Sequence, residues 1–251
     1  MSVAEDLVAS FRADCEEAGF DLVQPLQVGW YNALVDGGLR LEDFGAPENL
    51  AVVVGNTCAL WPKFMATLRA KPGLLDELNP LQGYTESQLR GAALRAGVPC
   101  SIRFSHEGGE RLVAMQRLAH VAGLAYLSET HLSVHPIFGP WLALRAAISF
   151  GLPATSLGRP QLGNPCGGCA EHCKAAYEHA LRVTQQPLDS ASVRSSWQLW
   201  LAFRDACPTG REHRYGPDQI AYHYTGDRHQ LCLSTGPQSF AAASPLRAPG
   251  K

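Results

Sequence analysis

Hydrophobic positions in this chain follow two periods that alternate irregularly. Val3, Leu7, Phe11 and Cys15 recur every four residues, the stripe of an amphipathic helix within the first twenty residues. Leu50 to Thr57 is an apolar run closed by turn residues, which predicts a buried strand, and Thr57 with Pro62 predicts a helix start near Trp61. Val98 to Ser105 reads as a second strand, ended at Gly108-Gly109. Glu110 to Tyr126 reads as a helix carrying Leu118, Val121 and Ala125 on one stripe. Leu142 to Phe150 reads as a third strand, closed by Gly151 and Pro153. Strand alternation puts Leu142, Leu144, Ala146, Ile148 and Phe150 on one face, and Ala143, Arg145, Ala147 and Ser149 on the other. Arg145 is thus expected among small side chains, a fixed cation beside open space, which is the make-up of a ligand wall.

Between the first helix and the first strand, Gln24 to Asn32 mixes apolar and aromatic residues, including Trp30 and Tyr31. Residues 158–210 form a cysteine-rich insert region that opens on a Gly-, Pro- and Cys-rich stretch. Ser196 to Phe203 returns to an aromatic helical pattern, and Tyr215 to Tyr224 offers a last short helix. There are no internal repeats and no Gly-rich nucleotide loop, so the pattern predicts an α+β sandwich, a central mixed or antiparallel sheet flanked by helices. One domain is expected over 1–235. Residues 236–251, dominated by Ala, Ser, Pro and Gly, are expected to be a disordered tail.

Composition narrows the function classes. The chain has 251 residues, 46% hydrophobic and 18% charged, and a formal net charge of -2. It lacks the basic footprint of a nucleic-acid partner. No apolar run approaches the roughly 20 residues that cross a bilayer, and the acidic amphipathic start is unlike a signal peptide. Eight cysteines without a secretion signal fit a reducing compartment, so a cytoplasmic protein, monomer or homodimer, is expected.

Three segments carry candidate chemistry. Around His120, in Leu118 to Tyr126, Gly123 stands among alanines. Glycine in a helix interior costs about 1 kcal/mol relative to alanine, so either a large ligand approaches here or a core histidine sits in tight packing. His135-Pro136-Ile137-Phe138-Gly139-Pro140-Trp141 is a rigid loop with two aromatics leading into the Arg145 strand. The third is Cys166-Gly167-Gly168-Cys169 with Cys173 and, further on, Cys207-Pro208. This density of thiols admits an iron–sulfur cluster of the 4Fe-4S type, a structural zinc, or free or redox thiols.

Three blocks, Gln27 to Asn32, His120 to Tyr126 and His135 to Arg145, in that order and separation, resemble the cobalamin-processing family named for methylmalonic aciduria and homocystinuria type C. Arg204-Asp205-Ala206, Arg214-Tyr215 and Gln219 to Tyr222 extend the likeness, which spans roughly residues 5 to 230. The resemblance implies a flavin-nitroreductase-like fold that binds cobalamin with its lower base detached. It implies removal of the upper ligand, cyanide by reduction with electrons from reduced flavin (FAD or FMN), and alkyl groups by attack of glutathione. A cobalamin-trafficking partner protein would receive the product.

By the same resemblance, Trp30, Tyr31, His120, Tyr126, Ser133, His135, Phe138 and Trp141 line the corrin pocket, and Arg145, Arg228 and Arg204 hold the thiol co-substrate. Arginine suits that task because it forks onto carboxylates and lowers a nearby thiol pKa. Two departures matter. Ser133 stands where animal members carry a cysteine, and the loop from Tyr126 to His135 is shorter, which weakens flavin and dimer contacts. The Cys-Pro-Thr-Gly ending at Cys207 is similar to that of epoxyqueuosine reductases, so an iron–sulfur and cobalamin-dependent reductase is one rival, and a non-catalytic carrier another.

Overall fold

The computed structural model describes residues 2–169 and 172–231, so the tail expected over 236–251 lies outside the described residues. Its strands are β1 (Leu22–Gln27), β2 (Asn49–Asn56), β3 (Cys100–Phe104), β4 (Tyr126–Leu127), β5 (Ser133–Val134) and β6 (Ala143–Pro153). Four of them form a wholly antiparallel sheet in the order β1-β2-β6-β3, and β4 and β5 pair as a separate ribbon. β2 is buried along its whole length, because it is central and covered on both faces.

Helices α1 (Val3–Glu17), α2 (Val28–Asn32), α3 (Leu60–Ala70), α4 (Pro80–Arg95), α5 (Met115–Val121), α6 (His172–Val183), α7 (Ser190–Ser195), α8 (Trp197–Asp205) and α9 (Pro217–Thr225) surround the sheet. α1 begins at Ser2, whose side chain and Glu5 close a reciprocal capping box. Its stripe of Leu7, Phe11 and Cys15 packs with Phe64 of α3, Tyr84 of α4 and Val52 of β2 in one core cluster. Across the sheet, Tyr31 of α2 and Leu118 of α5 pack on Ala51, Val53 and Ala147. A small third cluster joins Trp141, Tyr215 and Ile220.

The structure corrects three local expectations. The helix expected over Glu110 to Tyr126 is shorter, Met115–Val121. Gly123 is not in its interior: it takes φ +76° just past its end, and a methyl there would come within 2.6 Å of the Pro160 ring. Its close neighbour is therefore this proline. Second, the simple alternation through β6 fails at Arg145. Val54 pairs with Ala146 but Gly55 pairs with Leu144, so Arg145 is the extra residue of a β-bulge. The bulge reverses the phase of the strand. Leu142 and Leu144 pack on the α5 side, while Ala146, Ile148 and Phe150 pack on the α1 side. Gly55 permits this because a side chain there would meet the Ala143 carbonyl oxygen at 2.8 Å. Third, Cys58 and Cys100, residues of a type that is ordinarily buried, are exposed.

Candidate functional site

Arg145 lies beneath a group of aromatic and basic side chains. Its Nε donates to Asn56 Oδ1 at 2.6 Å, while its Nη2 is sealed from solvent without a hydrogen-bond partner. Burial pushes its pKa below the ordinary arginine value, Tyr215 and Tyr222 oppose that, and Arg204 adds to it. A buried unpaired charged donor is costly, on the order of 1–3 kcal/mol, so this nitrogen lacks the acceptor that its burial calls for.

Arg204 is held differently. Its guanidinium donates to the carbonyls of Pro140 and Leu142 and lies over the Trp141 and Tyr215 rings, 4.5 and 4.8 Å from their centroids. Trp141 and Tyr215 themselves meet edge to face at 5.6 Å. One edge of Arg204 still reaches a cleft of about 650 Å³, and another a surface cavity of about 400 Å³ shared with Arg194, His223 and Tyr224. His223 is held neutral. Burial, then the charges of Arg145 and Arg204, put its pKa well below the usual histidine range. Arg228 sits elsewhere: it is exposed and donates to the carbonyls of Leu75 and Glu77. Tyr222 is within electrostatic reach of both Arg145 and Arg228.

The 650 Å³ cleft runs between the start of α5, the β4–β5 ribbon and the entry to β6. Of the residues expected to bind the corrin, Ser133 lines it, with an Oγ that is buried and without a partner. His120 and Tyr126 meet edge to face at 5.3 Å near the ribbon. Trp30 is half-buried against the α5-side core. Tyr31 is fully buried: its hydroxyl donates to the Leu39 carbonyl and accepts from the Ala114 N–H. Trp141 is likewise core, which places both as supports of the wall. The His135 and Phe138 rings meet at a tilt, 4.7 Å between centroids, on the loop around Gly139.

Both histidines have a fixed tautomer. His120 Nδ1 accepts the Leu127 N–H, and His135 Nδ1 accepts the N–H groups of Ile137 and Phe138. A neutral imidazole whose Nδ1 accepts carries its proton on Nε2 and presents a donor there. Burial lowers the His135 pKa, Asp21 opposes this and His213 reinforces it.

Residues the pattern did not single out complete the cleft. Gln116 and Arg117 sit on the side of α5 away from its buried Leu118 and Ala119, and Gln116 holds the His131 carbonyl. The helical stripe could have located both. His131, at φ +61°, caps the Ser128–Leu132 turn, where the Ser128 N–H bonds the Leu132 carbonyl. Arg194 and His223 were also missed, because one is on a short helix and the other looks like a packing residue.

Cys166, Cys169 and Cys173 line a cavity of about 170 Å³ together with Tyr126. The Cys166 pKa is raised by burial and then by Cys207, Cys173 and Cys169, which lie within electrostatic range of it. Among the described residues no group of three or more His, Cys, Asp or Glu side chains is arranged to hold a metal ion. The ligand set expected at Cys166, Cys169, Cys173 and Cys207, for an iron–sulfur cluster as for zinc, is thus not gathered as a metal site among them. Among the described residues, too, no helix is long and apolar enough to cross a membrane.

No protein-family model matches the chain. Whole-length similarity does exist. The chain is 27% identical over 254 residues to a Danio rerio protein named cyanocobalamin reductase / alkylcobalamin dealkylase, covering 92% of this chain and 94% of that protein. It is 28% and 24% identical to the Bos taurus and Homo sapiens proteins of the same name, covering 91% of this chain each time and 83% and 82% of theirs. Its fold matches the crystal structure of a C. elegans B12-trafficking protein, CblC, described as a human MMACHC homologue. The TM-score is 0.68 at 18% identity, over 96% of this chain and 99% of that one.

Proposed function

Because the chain belongs to the CblC family of cobalamin-processing proteins, we propose that it binds cobalamin and removes its upper axial ligand, by reductive decyanation and by thiol-dependent dealkylation. The observation that carries this is the near-complete alignment with three relatives of that name, together with a 650 Å³ cleft at the segments that first suggested it. The corrin would occupy this cleft. Its amide side chains suit the hydroxyl of Ser133 and the Gln116 and Arg117 side chains that line the cleft, while Tyr31 and Trp141 support the wall from the core.

Dealkylation requires glutathione to be held with its sulfur ionised. Arg145 supports that role through its orphaned Nη2, which a carboxylate or thiolate would satisfy. Arg204 reaches the same neighbourhood from the cleft side, and its two carbonyl partners fix its direction. Arg228 would meet a far end of the peptide. In the step itself the thiolate attacks the cobalt-bound carbon and forms a thioether, while the bond pair stays on cobalt as cob(I)alamin. With the lower base detached, cobalt keeps fewer donors, which favours that departing form.

Decyanation needs electrons. Reduced FAD or FMN enters this reading as the electron donor. A trafficking partner and a cytoplasmic setting follow from the same reading. The second reading, an iron–sulfur and cobalamin-dependent reductase, is favoured by one observation, the three thiols of Cys166, Cys169 and Cys173 on one cavity with Cys207 in electrostatic range.

The test is direct. Mixing with hydroxo-, cyano- and methylcobalamin should shift the absorbance of each as the lower base leaves, and anaerobic glutathione should then remove the methyl group. No association at millimolar cobalamin removes the proposal. Binding without loss of either upper ligand leaves a carrier.

A further inference from the structure

The four cysteines of the insert have no part in the cobalamin reading, and the fold sorts them into two kinds. Cys166 and Cys169, both free and half-buried, stand at the two ends of one β-turn. In it the Cys169 N–H donates to the Cys166 carbonyl at 3.0 Å, and Gly168 takes φ +78°. A turn of this kind holds its end Cα atoms within about 7 Å. Disulfides join Cα atoms about 4.4–6.8 Å apart, so the turn by itself brings the two thiols to bridging range. A preceding turn pins it: Asn164 Oδ1 accepts the Cys166 N–H at 2.9 Å, and the Asn164 carbonyl accepts the Gly167 N–H at 3.0 Å.

The other two thiols are engaged elsewhere. Cys173, in the first turn of α6, has its Sγ 3.7 Å from the Thr130 hydroxyl. Cys207 is buried beyond the end of α8. Both lie in electrostatic range of Cys166, but neither shares its turn. Within the turn, Gly167 and Gly168 put no side chain between the two cysteines. Nothing lies within 4 Å of where a Gly168 side chain would stand, so the turn has room to close.

We propose that Cys166 and Cys169 are a redox-active pair that closes to a disulfide by exchange with a small-molecule disulfide of the glutathione class. One thiolate attacks glutathione disulfide and releases one glutathione thiolate, which leaves a mixed disulfide. The second thiolate attacks the protein sulfur of that bond and releases the second glutathione. The pair gives up two electrons and two protons, and one glutathione disulfide becomes two glutathione. Excess glutathione runs both steps backwards. The pair lines the 170 Å³ cavity together with Tyr126 and Ser128, whereas Leu127 between them lines the 650 Å³ cleft, as alternate residues of a strand must. A disulfide sulfur is no thiolate ligand, so the closed pair holds no metal.

The test uses the full chain under anaerobic conditions, equilibrated with glutathione disulfide at several concentrations and fixed glutathione, then quenched with acid. Mass spectrometry should show the loss of two hydrogens per chain, and peptide mapping should place the bond between Cys166 and Cys169. Cys166→Ser and Cys169→Ser should each stop at one bound glutathionyl group, on the cysteine that remains. Cys58→Ser and Cys100→Ser, which change exposed thiols outside the turn, should close like the parent. Because the turn holds the pair together, the folded chain should close at a glutathione disulfide concentration roughly tenfold lower than the same chain in denaturing urea. A bond from either cysteine to Cys173 or Cys207, equal closure in the folded chain and in urea, or a glutathionylated parent that never closes would each overturn the proposal. The readout is a mass measured without cobalamin, so its failure leaves cobalamin binding standing, and absence of cobalamin binding leaves the pair standing.

Discussion

Arg145 and Asn56 face each other across two neighbouring strands, joined by a hydrogen bond of 2.6 Å from Nε to Oδ1. The β-bulge makes Arg145 the residue without a partner in the ladder register, and Asn56, fully buried at the end of β2, fixes where its guanidinium points. One nitrogen of the fork is thereby used for positioning and another is left for a ligand.

That division sets the first prediction. Arg145→Ala should lower kcat/KM for glutathione in dealkylation by roughly 10–100-fold, about 1.4–2.7 kcal/mol, and change the Kd for cobalamin by less than about threefold. Arg145→Lys should not restore it, since a lysine cannot hold Asn56 and a carboxylate at once. Steady-state kinetics beside a cobalamin titration decides. Equal loss of both quantities would place the arginine at the corrin.

A second prediction concerns cobalt ligation. His120 and His135 each spend Nδ1 on backbone N–H groups, so Nε2 carries the proton and cannot donate a lone pair to a metal. Cob(II)alamin bound to the protein should therefore show no nitrogen splitting from the polypeptide in its electron paramagnetic resonance spectrum. Uniform ¹⁵N labelling of the protein should leave the spectrum unchanged. A changed splitting that disappears in His120→Ala would show the tautomer to be otherwise.

Much of this arrangement was legible in the sequence. The apolar run at Leu50 to Thr57 became β2, the stripe of Val3, Leu7, Phe11 and Cys15 became the buried face of α1, and the His135 loop does lead into the Arg145 strand. The bulge was not legible, because strand alternation is a local rule and the extra residue appears only when Gly55 on the neighbouring strand lets the backbones close in. For the same reason Tyr31 and Trp141 look like pocket aromatics in the sequence. Their burial depends on partners far along the chain, the Ala114 N–H for one and Tyr215 for the other.

The third prediction tests how the His135 loop is seated. Gly139 has φ +55°, and a methyl there would overlap the carbonyl of Thr209. Gly210 in turn packs its backbone on Phe138. Two turns thus meet backbone to backbone. Gly139→Ala should destabilise the protein by about 2 kcal/mol or more, read as a fall in the thermal midpoint. Gly37→Ala, with nothing within 4 Å, should stay within about 0.5 kcal/mol of the parent. Equal midpoints for the two variants would show that the loop does not rest on Gly210.

The last prediction is a pH dependence. His223 has its pKa depressed by burial and by the Arg145 and Arg204 charges, and His135 has its own lowered chiefly by burial. In the unfolded chain both return to about 6.5. Below that pH the unfolded state takes up protons that the folded state refuses, so stability falls as the solution is acidified and recovers as pH rises past about 7. The thermal midpoint should accordingly drop between pH 7.5 and pH 5.5. His223→Gln keeps a neutral polar group beside Gln219 but removes the titration, so it should flatten part of that slope. An unaltered slope in this variant would mean that His223 takes up its proton as readily in the folded protein as in the unfolded chain, against the depression that burial and the two arginines impose.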